Sequence, residues 1–222
     1  MKFLGDPTSG ELRIAASESI AGAILPAILE PFNRQYPKVV IYVDNVLSPS
    51  FELPKLRDRS HDLILSRLLS SYAIDQDDLN VETLFDDRPV VVAHEQSPWT
   101  RRRKIDPADL LGEQWILPPP NAQLFPHVAE AFRARGLAVP KTSLATYSVH
   151  LRTNLLASGR FITVFPNSML RLNGKRYALK ALPVDLDIRP SPVVIVTVKN
   201  RTLSPVVERF MQCARAVAKS II

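Results

Sequence analysis

The chain has 222 residues, 46% of them apolar, a net charge of +6 and one cysteine. That length and apolar content suit one large domain or two small lobes with a real core, and they exclude a disordered tail or a disulfide-stapled miniprotein. The longest apolar runs, such as 90–93 and 193–198, are far too short to cross a bilayer, and 1–7 has no apolar stretch of signal-peptide length, so a soluble, cytoplasmic protein is expected.

In chain order, the alternation over 12–16 predicts a strand. Apolar residues Ile20, Ile24, Leu25, Ile28, Leu29 and Phe32 predict one amphipathic helix over 19–35, ending before Pro37. A strand at 39–43, a short helix at 50–57 and strands at 62–66 and 81–84 follow. A second cycle starts at 89–93. It continues with a helix near 107–111, a strand at 114–117, a helix at 124–135, a strand at 142–146, a helix at 149–157 stopped by Gly159, a strand at 161–164 and a short helix at 167–172. Strands at 177–182 and 193–198 and a helix over 204–220 complete the chain. Strand alternating with helix implies mostly parallel sheets covered on both faces, and two such cycles imply two α/β lobes. The last strand and helix come after the second cycle, which allows them to return to the first lobe.

A search for catalytic chemistry finds no glycine-rich phosphate loop, no Gly-x-Ser-x-Gly elbow and no zinc helix. His61, His94, His127 and His150 lie in separate segments without ligand spacing and read as surface or packing residues. Asp77-Asp78 and Asp86-Asp87 read as turn and strand-end residues. Cys213, alone, reads as a core or boundary thiol. No enzyme activity, cofactor or metal is therefore expected. The run Arg101-Arg102-Arg103-Lys104 falls between elements and reads as a solvated loop, with an anion or nucleic-acid contact as the alternative.

Ser17-Glu18-Ser19 stands between a strand and a helix, where unpaired backbone N–H groups and hydroxyls could hold a carboxylate or another oxygen-rich ligand, or could simply cap the helix. Pro120-Asn121-Ala122 and Thr146-Tyr147-Ser148 occupy similar places before later helices. Three such ends could converge on one cleft.

The stretch 3–16, with Ile24-Leu25-Pro26, Phe32 to Val39, His61 to Leu65 and Leu155 to Pro166, resembles the effector-binding domain of LysR-type transcriptional regulators over essentially residues 3–220. The resemblance implies two Rossmann-like lobes in the type 2 periplasmic-binding-protein fold, with an effector in a central cleft. It nominates Ser17, Glu18, Ser19, Ser66, Arg67, Pro120, Asn121, Ala122, Ser148 and Phe165 as effector-binding residues. It also implies a homodimer, with higher oligomers in the full-length protein, and DNA contact only through an N-terminal winged helix-turn-helix outside these residues. On that reading 1–10 are a linker remnant, 11–86 with 187–222 form one regulatory subdomain and 87–186 the other. One departure from the family pattern is Arg59-Ser60-His61 before Asp62, with Ser66-Arg67 after Leu65. Arg67 could pair with an anionic effector, an organic acid or a sugar-related compound, or with a neighbouring carboxylate. A solute-binding protein of a transport system, with the same fold, is the alternative function.

Overall fold

The computed structural model describes residues 9–46, 53–68 and 77–221, and packing divides the chain into one unit of 1–86 with 191–222 and a second of 87–190.

In the first unit, β1 (Ser9–Ser17) pairs in parallel with β2 (Lys38–Val46), Ser9 lying opposite Lys38 and Ser17 opposite Val46. Ser9 and Gly10 thus belong to a strand and not to a linker remnant; 1–8 lie outside the described residues. The single helix expected over 19–35 is two, α1 (Glu18–Ala21) and α2 (Ile24–Gln35). The break falls just before Pro26, whose missing N–H and ring are tolerated in the first turn, where the restart at Ile24 places it, although α2 also carries Pro31 inside it. The Gly22 N–H closes the intervening turn on the Glu18 carbonyl at 2.8 Å. α2 buries Ile24, Leu25, Ile28 and Phe32 and packs on the terminal helix α7 (Pro205–Ile221), where Phe210 meets Phe32 edge-on at 5.7 Å.

α3 (Leu53–Arg57), β3 (Leu63–Arg67), β4 (Leu79–Asp87) and β10 (Ser191–Val198) complete this unit. Of the short helix expected at 50–57, residues 50–52 lie outside the described residues. The sheet order is β2-β1-β3-β10-β4. β1 runs parallel to both β2 and β3, whereas β10 is antiparallel to β3 with Val193 opposite Arg67. The sheet is therefore mixed, not mostly parallel: β10 returns from the other unit, so no crossover helix fixes its direction. Leu63 to Ser66 are all buried, as expected of a strand covered on both faces.

The second unit holds β5 (Pro89–His94), β6 (Gln114–Leu117), α4 (Leu124–Arg133), β7 (Thr142–Ala145), α5 (Val149–Leu156), β8 (Phe161–Pro166), α6 (Asn167–Asn173) and β9 (Leu179–Ala181). Its order is β7-β6-β8-β5-β9, with β6 parallel to β7 and β8, and β5 antiparallel to β8 and β9. The helix expected at 107–111 is a 3-10 turn, Pro107–Leu110, closed by a reciprocal cap between Asp106 and Asp109. The strand expected at 177–182 shrinks to β9 because Ala178 takes the left-handed conformation, φ 52°. Trp115, wholly enclosed, faces Phe132 edge-on at 5.9 Å and donates its indole N–H to the Leu110 carbonyl at 2.8 Å. Leu186 and Ile188 are buried in the same core, and 187–190 fall with this unit, beyond the 186/187 boundary that the resemblance implied.

Candidate functional site

In an open α/β sheet, ligands bind outside the carboxyl ends of parallel strands at the point where the winding reverses. In the first unit β1 leads to β2 on one side and β3 leads towards β4 on the other, so the reversal lies between β1 and β3. In the second unit β6 leads to β7 and β8 to β9, in opposite directions, so it lies between β6 and β8. Nearly every residue nominated from sequence stands at one of these two places.

At the first, Ile14, Ala15 and Ala16 pair with Leu63, Ile64 and Leu65, which sets the two strand ends side by side. Arg67 donates from Nη1 to the Ser19 hydroxyl at 2.8 Å, bringing together residues 48 positions apart. Ser17, extended, is the N-cap of α1, and its hydroxyl makes no capping bond. Glu18 and Ser19 are half-buried in the first turn. Ser66 is buried, and its hydroxyl makes a long 3.4 Å contact to the Arg67 carbonyl. An anion held by the start of one long helix over 19–35 is not what the structure offers. α1 is a single turn, so its aligned dipoles are few, and the local positive charge is the Arg67 guanidinium.

At the second, Pro118-Pro119-Pro120 turn so that the Ala122 N–H bonds the Pro119 carbonyl at 2.8 Å. Asn121 does not cap α4, whose N-cap is Gln123; its Oδ1 accepts from the Tyr147 hydroxyl at 2.9 Å. Ser148 is the N-cap of α5. It accepts from the Leu151 N–H at 3.1 Å, while its own N–H bonds Thr146 Oγ1 at 3.1 Å. Phe165 is wholly enclosed beneath the Arg152 guanidinium, 4.5 Å from the ring centroid. Its ring is core, with no surface to offer a ligand.

Sequence reasoning missed Arg152, itself buried and donating to the Val164 carbonyl at 3.3 Å. The signal was available: Val149, Arg152, Thr153 and Leu156 share one helical face, and all are buried. It also missed that Asp87, read as a strand-end acid, reaches the start of α6, where it accepts from the Ser168 N–H at 3.0 Å and from its hydroxyl at 2.5 Å. His61 is buried with Nε2 2.8 Å from Asp44, and burial pushes the half-buried Cys213 thiol above its ordinary pKa. Among the described residues, no three His, Cys, Asp or Glu side chains are grouped to hold a metal ion.

The LysR substrate binding domain family matches residues 5–219. Among curated proteins, the transcriptional dual regulator GltC of Bacillus subtilis is 24% identical over 93% of this chain and 67% of its own length. The DNA-binding transcriptional dual regulator OxyR of Escherichia coli is 25% identical over 96% and 67%. The chain thus spans about two thirds of these relatives. Among solved structures, the regulatory domain of CcmR from Synechocystis PCC6803 in complex with 2-PG has a TM-score of 0.74 at 21% identity, covering 95% of this chain and 98% of that one. The effector binding domain of QuiR in complex with shikimate has a TM-score of 0.69 at 18% identity, covering 96% and 98%. The fold is the two-lobed periplasmic-binding-protein type shared by these domains.

Proposed function

We propose, on the premise that the chain belongs to the LysR substrate binding domain family, that it senses a small organic acid at the cluster of Ser17, Glu18, Ser19 and Arg67. The observation that carries this reading is the Arg67 to Ser19 bond at the first winding reversal. A guanidinium presents a planar fork that matches a carboxylate, and the hydroxyl steers it while remaining able to donate to an incoming oxygen. In the second unit the residues proposed to contact effector are Pro120, Asn121, Ala122 and Ser148, with Phe165 acting only through Arg152. The neighbours QuiR and CcmR were solved with shikimate, a carboxylate, and with 2-PG, which supports an acidic effector here.

The units 1–86 with 191–222 and 87–190 then serve as the two regulatory subdomains of a cytoplasmic, homodimeric transcription regulator. It contacts operator DNA through a winged helix-turn-helix outside these residues, and effector binding shifts the populations of two arrangements for which its affinity differs. The role is binding without turnover, in keeping with relatives that are transcription regulators. Peroxide sensing, suggested by relatives named hydrogen peroxide-inducible genes activator, fits this chain less well. Its one cysteine cannot form a disulfide within these 222 residues, and a thiol with a raised pKa holds little of the reactive thiolate.

A thermal-shift screen against carboxylic acids, sugar acids, sugars and amino acids tests this. A ligand at about 100 times its Kd adds about 2.7 kcal/mol of stability, a shift of several degrees. An acid hit that Arg67→Ala and Ser19→Ala both abolish supports the reading. A hit confined to neutral sugars, or one untouched by Arg67→Ala, overturns it.

A further inference from the structure

The four cations Arg101-Arg102-Arg103-Lys104 are used neither by the core nor by the effector cluster, yet the structure holds them in a fixed frame. On one side Trp99 packs against the second unit's core, and the Thr100 hydroxyl bonds the Glu95 and Ser97 carbonyls at 2.9 and 2.7 Å. On the other side Ile105 is buried and its N–H bonds the Pro183 carbonyl at 3.0 Å. Between these anchors all four basic residues are exposed, Arg102 is extended, and none of the four makes an ion pair with a described residue. Here the backbone entropy of presenting four charges together is already lost on folding, so a polyanion would meet a prepared row.

We infer that the 101–104 segment is an auxiliary contact for the phosphate backbone of duplex DNA, independent of sequence. Arg101 closes the 3-10 turn Pro98–Arg101, Arg102 is extended and Arg103 lies at a bend, so the four cations are grouped on one short exposed segment. Three of the four side chains are guanidinium forks, which suit phosphate oxygens. Family membership supplies the occupant: a domain of a transcription regulator is held beside DNA, where even a weak contact is favoured by the high local concentration.

The test is fluorescence anisotropy of the 222-residue chain with a labelled random-sequence duplex of about 30 base pairs. Two quadruple variants are compared. One is Arg101→Ala, Arg102→Ala, Arg103→Ala, Lys104→Ala; the other is Arg133→Ala, Lys141→Ala, Lys175→Ala, Arg189→Ala, equal in charge and equally exposed within the same unit. With up to four phosphates neutralised, log K should fall against log salt with a slope of at most about −3.6, about 150-fold for a fourfold rise in salt. The first variant should lose most of that slope while the second keeps it, with both melting like the parent. Duplex should also change Trp99 emission, since that ring lies 5.9 Å from the Arg102 guanidinium. No binding at low salt overturns the inference. So does equal weakening of both variants, which would mean only net-charge attraction. Stronger binding of polyglutamate than of duplex at equal charge also overturns it, in favour of an acidic protein partner.

Discussion

The two units wind alike and reverse direction at equivalent strand ends, yet what stands at those ends differs. Between β1 and β3 the polar side chains face one another: Arg67 reaches Ser19, and the Ser17 hydroxyl makes no cap. At the second reversal the residues proposed to meet effector have structural tasks as well. Ser148 caps α5, Asn121 is tied to Tyr147, and Phe165 lies sealed under Arg152. On the proposed reading the first end supplies the charge that holds the ligand, while at the second the contacting side chains also serve stability. The same residue types, a serine before a helix above all, fall on both sides of that division.

The largest effect should come from the sealed side. Phe165→Ala should cost about 3–5 kcal/mol in chemical denaturation, because it removes an enclosed ring and the surface on which Arg152 rests. An unchanged midpoint with a lost ligand response would reverse the contrast drawn here. Next, Asp87→Ala should cost about 1–3 kcal/mol by leaving the buried Ser168 groups at the start of α6 without their acceptor. A smaller but sharper pair is Ser148→Ala against Ser17→Ala. The first should lose about 1 kcal/mol for its cap and the second only a few tenths, with urea midpoints deciding. Equal losses would show that both serines are merely caps.

The smallest effect concerns pH. The bond from Arg57 holds the exposed Asp78 carboxyl below its usual pKa. A depressed folded value means the stabilisation is present above the unfolded pKa and is lost as pH falls through the folded one. The small advantage over Asp78→Asn should therefore hold above about pH 5 and close below about pH 4 in melting curves. An advantage that grows in acid would contradict the sign.

Most strands and helices could be read from periodicity and turn residues, because burial on one face leaves a trace in sequence. The break before α2 was missed because the apolar spacing of Ile20 and Ile24 runs across it, and the cost of Pro26 in an unbroken helix had to be weighed against that spacing. The direction of β10 depends on which unit the chain returns from, which no local pattern encodes. At the site, Ser17 before the first helix and Ser19 in its turn were identifiable from their place after the first strand. Their meeting with Arg67 rests on the register of β1 with β3. Phe165 was placed by resemblance at a strand end, where it is enclosed with Arg152 over its ring, a cation on a buried helix face.

The most direct test of the central claim is amide chemical-shift mapping of the chain with the acid that gives the largest thermal shift, repeated on Arg67→Ala. The account predicts that perturbations include residues 17–19 and 66–68 and that they vanish in the variant. Perturbations that avoid those segments, or that persist without Arg67, would contradict it.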